Sequence, residues 1–173
     1  MNKRNASLPR RGFLLGLTAV GASVGLAGCG FELRKAPVFA FKTLSVEGNS
    51  ALINLIRRDL RAAGTVTLVP KEDAKTADAV LVVLGEDRDR FVISTNSAGA
   101  LRELQLRLRV RFSLKTPAGK ELLAASEVSQ TRDLSFNETN ALAKEGEAEL
   151  LFRDMQADIA QQLMRRLAAV KEL

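Results

Sequence analysis

Leu104-Gln105-Leu106-Arg107-Leu108-Arg109-Val110-Arg111-Phe112-Ser113-Leu114-Lys115 alternates apolar and polar residues without a break. Successive side chains of a strand point to opposite faces, so the three leucines from 104 to 108 share one face with Val110, Phe112 and Leu114. Gln105, Arg107, Arg109, Arg111, Ser113 and Lys115 share the other. A helix would scatter both sets around its axis. The segment is therefore a strand with one apolar and one basic face, and it commits the domain to a sheet that needs a cover on one side.

The neighbouring segments extend that sheet. Thr116-Pro117-Ala118-Gly119 has Pro second and Gly fourth, as a type I turn prefers, so the strand from Leu122 to about Leu134 is predicted to return antiparallel. Upstream, Ala79-Val80-Leu81-Val82-Val83-Leu84 shows no alternation, which predicts a strand covered on both faces there and continuing past the charges at 86–90 into Phe91-Val92-Ile93. Leu44 and Val46 alternate with Thr43, Ser45 and Glu47 in a first strand, and a short strand from Val66 to Val69 stops at Pro70.

Two helices supply the cover. Ser50 is placed to cap one whose Ile53, Ile56 and Leu60 recur at three- and four-residue spacing, with Gly64 at its left-handed end. Asn140 begins the other, running to about Ala169 with Ala148, Leu151, Phe152, Met155, Ile159, Leu163 and Leu167 on one stripe. The expected fold is α+β, a two-layer sandwich with both helices packed on one face of a mostly antiparallel mixed sheet.

The N-terminus has a different character. Lys3, Arg4, Arg10 and Arg11 precede an apolar run from Phe13 to Ala27, which is the layout of a signal peptide and too short for a spanning helix. Leu26-Ala27-Gly28-Cys29 resembles the bacterial lipobox, in which the cysteine is acylated and becomes the first mature residue. The predicted organisation is a removed signal over 1–28, a lipidated tether over 29–40 beginning at Cys29 and containing Pro37, and one domain over 41–173. Gly30 follows Cys29 in place of the Asp common in inner-membrane lipoproteins, which favours the outer membrane.

Composition narrows the function. The chain carries 26 Lys+Arg, and the four before Cys29 leave 22 against 20 Asp+Glu, so net charge gives no case for nucleic acid. His, Trp and Tyr are absent, which removes the commonest general base and metal ligand. No catalytic residue, metal site or cofactor is expected. Carboxylates gather at Glu86, Asp87 and Asp89 and at Glu145, Glu147 and Glu149, and read as solvated surface. Arg107, Arg109 and Arg111 form a ridge opposite the helices, suited to a phosphorylated lipid or an acidic protein wall, or paired with acids such as Glu127 or Asp133 on neighbouring strands.

Cys29-Gly30-Phe31-Glu32-Leu33-Arg34 resembles the mature start of the LPS-assembly lipoprotein LptE family, whose members commonly read Cys-Gly-aromatic-x-Leu-Arg. Asn140-Ala141-Leu142-Ala143-Lys144, then acids and a helix containing Gln162-Leu163-Met164-Arg165-Arg166-Leu167, is a second match. The resemblance implies a non-enzymatic role: a plug inside the outer-membrane β-barrel LptD, in a 1:1 complex, that binds lipopolysaccharide and sits on the outer membrane through its lipid. It also implies lipopolysaccharide contacts at one end of the sheet, with Lys144 as the lysine of the Ala-Leu-Ala-Lys motif and Arg132 at a second basic position. Some members carry an arginine where this chain reads Ser94-Thr95-Asn96-Ser97-Ala98-Gly99, and Arg102 stands in from slightly further along. The Arg107, Arg109 and Arg111 ridge is a further candidate contact for barrel or lipopolysaccharide. The alternative is a free-standing periplasmic lipid carrier without a barrel, which would contain an apolar cavity where a plug is solidly packed.

Overall fold

The apolar set on the 104–115 strand is buried: Leu106, Leu108, Val110, Phe112 and Leu114 each have no exposed surface, and Leu104 at the hairpin end is partly buried. The computed structural model describes residues 36–173, so the signal segment, Cys29 and the start of the tether lie outside the described residues. The elements in order are β1 Thr43–Glu47, α1 Ala51–Ala63, β2 Thr67–Val69, a 3-10 segment Lys71–Thr76, β3 Ala79–Thr95, β4 Leu101–Lys115, β5 Glu121–Ser135, a 3-10 turn Glu138–Asn140, and α2 Ala141–Ala168. The strands form one sheet in the order β2-β1-β3-β4-β5. β1 is parallel to both its neighbours, while the longer β3, β4 and β5 pair antiparallel. The fold is the open mixed α+β sheet that the alternation predicts.

Local signals set the helix ends. The Ser50 hydroxyl accepts a hydrogen bond from the Ile53 N–H, and Gly64 closes α1 at φ 66°, a conformation that favours glycine. Leu52, Ile53, Ile56 and Leu60 are buried along α1, and Ala148, Phe152, Met155, Ile159, Leu163 and Leu167 along α2. Gln156, Ala160 and Met164 are buried as well, because α2 touches α1 besides β4 and β5 and needs a broader stripe than a sheet alone would demand. Each fully buried Leu or Phe contributes roughly 1.5–3 kcal/mol against exposure.

β3 departs from simple alternation. The register runs Val83 opposite Phe112 and then Gly85 opposite Arg111, so Leu84 is an extra residue, a β-bulge. Before the bulge Leu81 and Val83 share the helix face; after it Glu86, Arg88 and Arg90 stand opposite Val110, Leu108 and Leu106 on that same face. Coverage on both faces is confined to Ala79, Val80 and Leu81, beside the buried Ser45 of β1. There the 3-10 segment crosses the sheet's other side, with Lys71, Ala74 and Lys75 lining a cleft with Val80, Glu47 and Lys115.

Asp78 fastens the start of β3 to the start of β1. Its carboxylate accepts from the backbone N–H groups of Lys42 at 2.8 Å and Thr43 at 2.9 Å, and its own N–H donates to the Thr43 hydroxyl. The Thr43 N–H, then that of Lys42, holds the carboxyl below its ordinary value of 3.8. A depressed folded value means stabilisation that is complete above the ordinary value and lost as pH falls through the folded one. Asp78→Ala is therefore expected to lose roughly 1–3 kcal/mol at pH 7. In urea titrations its deficit from wild type should narrow between pH 7 and pH 3; a constant deficit would assign the loss to packing alone.

Arginines occupy backbone carbonyls at both sheet margins. Arg57 of α1 donates to the carbonyls of Val46 and Gly48, just past the end of β2. On β5 the Glu127 carbonyl accepts from Arg166 of α2, and the Thr131 carbonyl from Arg132.

Candidate functional site

The end of the domain that carries the β3–β4 hairpin collects two of the predicted contacts. Lys144, in the first turn of α2, donates from Nζ to the Ser135 hydroxyl at 3.1 Å and pairs with Glu147 at 2.8 Å. Its side chain is 20% exposed, so the ammonium is oriented by these two partners at the surface. Arg102 opens β4 and is exposed; its carbonyl accepts from the Phe136 N–H at 2.7 Å. Ser135 ends β5 and Phe136 follows it, so the same short stretch meets the Lys144 ammonium and the Arg102 backbone. Among the described residues the Arg102 side chain has no ion-pair partner.

Arg132 does not join them. Opposite Leu106 on the helix-covered face, it reaches Asp158 of α2 at 2.6 Å and donates to the Gln130 side chain and the Thr131 carbonyl. Its hydrogen bonding is directed to the protein.

The Arg107, Arg109 and Arg111 ridge lies on the opposite face, as the alternation predicts. Its partner is Asp89 of β3, 3.2 Å from both Arg107 and Arg109, in place of Glu127 or Asp133; Asp133 accepts instead from Gln105. The bulge is the reason, because it turns Asp87 and Asp89 outward opposite Arg109 and Arg107. Arg107 also lies over the Phe91 ring at 4.5 Å. Arg111 packs over Gly85, where a Cβ would stand 2.9 Å from its guanidinium, so glycine gives that side chain room. One carboxylate is thus shared by Arg107 and Arg109, which leaves the ridge net positive.

A charged seam between β3 and α2 escaped the sequence reading. The Arg90 fork donates to both oxygens of Glu145 at 2.7 Å, Arg88 lies 3.5 Å from Glu149, and Gln156 donates to Glu86 at 2.9 Å. Arg88 and Arg90 both lie over the buried ring of Phe152, at 5.2 and 5.9 Å. The Arg90 hydrogen bonds hold the Glu145 carboxyl below the ordinary carboxylate range and raise Arg90. Of the acids read as solvated surface, Glu145 and Glu149 do face solvent, with 54% and 47% of their side-chain surface exposed, while also pairing with Arg90 and Arg88; Glu86, at 16%, is the one drawn into the α2 contact. A glycine between a valine run and alternating charges was the one available signal for the bulge that places them.

Exposed apolar side chains complete the hairpin end. Phe91, Val92 and Ile93 retain 40%, 61% and 46% of their surface, and Leu142, two residues before Lys144, retains 88%. Exposed apolar groups at the same end of the domain as an oriented ammonium suit an amphiphile with an anionic head. Among the described residues no group of His, Cys, Asp or Glu is arranged to hold a metal ion, and no helix is long and apolar enough to cross a membrane.

Comparison with known proteins agrees with this architecture. Residues 41–167 match the family model described as LptE, lipopolysaccharide-assembly. The chain is 36% identical over 163 residues to the LPS-assembly lipoprotein LptE of Yersinia pestis (strain Pestoides F), covering 91% of this chain and 74% of the relative. Among solved structures it resembles an uncharacterized lipoprotein B from Nitrosomonas europaea, with TM-score 0.69 and 28% identity over 81% of this chain and 91% of the other. The rare lipoprotein B from Shewanella oneidensis superposes with TM-score 0.63 and 27% identity, over 74% and 95% of the two chains.

Proposed function

The chain belongs to the lipopolysaccharide-assembly family LptE, and from that membership we propose that it is an outer-membrane lipoprotein that plugs and supports the β-barrel LptD and binds lipopolysaccharide during its assembly into the outer leaflet. The observation that carries the binding reading is the Lys144 ammonium held at the end of β5, where the Arg102 backbone also pairs, on an end of the domain that leaves Leu142, Val92 and Ile93 exposed. Anionic phosphates would meet the cations while the apolar groups face acyl chains. The plug reading is supported by a core continuous across both helices and the sheet. A cleft of about 620 Å³ has a mixed lining, Arg57, Arg61, Lys71 and Glu72 facing Val46, Leu68, Val69 and Pro70, in place of the apolar cavity that the acyl chains of a free-standing carrier would need.

Site and anchor are tested separately. Lys144→Asp combined with Arg102→Asp is expected to weaken lipopolysaccharide binding about tenfold or more in a low-salt titration, with recovery alongside the barrel unchanged. Unchanged affinity in the double mutant would move the site elsewhere. Arg132→Asp is the wrong partner variant, since it would set a carboxylate against Asp158 and release the Thr131 carbonyl. Cys29 is the proposed acylation site and first mature residue, directly after a removed signal over 1–28, so Cys29→Ala is expected to abolish incorporation of labelled palmitate. Two or more acyl chains give stable anchoring where one is marginal. Label persisting in the mutant would refute the assignment.

A further inference from the structure

The margin of the sheet opposite β5 carries a second set of cations. β2 stops at Pro70 while β1 runs on, which leaves the Val46 and Gly48 carbonyls without a strand beside them. Arg57 of α1 fills that gap: Nη2 donates to Val46 at 2.8 Å and to Gly48 at 3.0 Å, and Nη1 to the Asn54 side chain at 3.3 Å. Three neutral acceptors therefore fix a guanidinium whose charge no carboxylate within 4 Å neutralises, among the described residues. The 620 Å³ cleft opens over it, and Arg61 and Lys71 stand in its wall, also without an ion-pair partner among the described residues. Glu72 is the one acid in the lining.

We propose that this cleft binds a phosphorylated sugar. Arg57, Arg61 and Lys71 supply the charge for a phosphate dianion, and the fixed guanidinium needs little ordering to receive it. The cleft is larger than a bare phosphate requires. Leu68, Val69 and Pro70 offer an apolar wall for the C–H face of a sugar ring, while Asn54 and Glu72 offer an amide and a carboxylate to its hydroxyls. β2 and β5 are opposite margins of the sheet, so the cleft is separate from the Lys144 and Arg102 end and does not rest on the function proposed there. The same chemistry is available from a free sugar phosphate or from the phosphorylated saccharide head of a glycolipid.

The test is equilibrium binding of radiolabelled glucosamine 6-phosphate to the full-length protein in detergent micelles. Saturable 1:1 binding is expected, weakened at least tenfold by Arg61→Gln with Lys71→Gln, both exposed positions whose variants keep the wild-type circular dichroism. Lys144→Asp with Arg102→Asp should leave this affinity unchanged, which separates the cleft from the hairpin end. Unlabelled glucosamine should fail to compete, and inorganic phosphate should compete at least tenfold more weakly than the sugar phosphate. Competition by purified lipopolysaccharide in the Lys144 and Arg102 variant would identify the source as a glycolipid head; competition by the monosaccharide alone would identify a free sugar phosphate. Absence of saturable binding, or equal affinity in the Arg61 and Lys71 variant, would overturn the proposal. Equal competition by inorganic phosphate would reduce the cleft to a simple anion site and overturn it as well.

Discussion

Leu108→Asp is expected to unfold the domain, while Arg109→Asp, one residue along the same strand, leaves it folded. Leu108 has no exposed surface and stands in the middle of β4 on the face that α2 covers, so a carboxylate there has no water to meet. Burying an unpaired carboxylate without compensation costs several kcal/mol at least, a large share of the 5–15 kcal/mol typical of a domain. Arg109 lies on the outward face, where its partner is Asp89, itself held by Arg107 as well. Reversing its charge sets two carboxylates side by side in a partly solvated place, an effect on the order of 1 kcal/mol and a few degrees of melting temperature. Thermal melts followed by circular dichroism decide the matter. Equal losses in the two variants would mean that the faces of β4 have been exchanged.

Phe152→Ala is expected to be the most damaging single truncation in α2, at about 3–5 kcal/mol. The ring is buried against the sheet and forms the floor on which Arg88 and Arg90 lie before reaching Glu149 and Glu145. Its removal leaves a cavity and takes the apolar support from two guanidinium groups at once. Arg90→Ala removes the bidentate pair with Glu145, a 3.6 Å contact with Glu149 and one of the two guanidinium groups over the ring, all through well-exposed charged groups, and should shift the transition little. Urea titrations should therefore show a large drop in midpoint for Phe152→Ala with an unchanged slope. A larger loss for Arg90→Ala would show that charge, and not packing, seats the helix.

Both expectations depend on which face a residue occupies, and there the sequence was informative unevenly. Alternation along 104–115 was legible because β4 is the central long strand, paired on both sides and covered on one face only. Helix ends were legible because Ser50 and Gly64 act through their own backbone neighbourhoods. The bulge at Leu84 was not, since period-two counting carries no marker for an inserted residue, and every face assignment beyond it changes sign. That single residue explains why Asp89 was missed as the partner of Arg107 and Arg109, and why the pairing of the exposed Glu145 and Glu149 with Arg90 and Arg88 was not foreseen. Of the site, family motifs reached Lys144, whereas Arg132 needed the position of Asp158, 26 residues later in the chain, to be understood. The cations around the 620 Å³ cleft come from α1 and the segment after β2, and only the fold brings them together.

The arginines at the sheet's two margins bear on how the domain meets other proteins. Unpaired carbonyls along an outer strand invite a foreign strand to add itself, and they are the usual route to edge-to-edge aggregation. Here Arg166 and Arg132 already occupy the Glu127 and Thr131 carbonyls, and Arg57 those of Val46 and Gly48. A surrounding wall of strands therefore cannot stitch this sheet into its own hydrogen-bond ladder at those positions without first evicting a guanidinium. The domain can sit among strands and remain a separate body, recognised through its side chains and able to move as a unit.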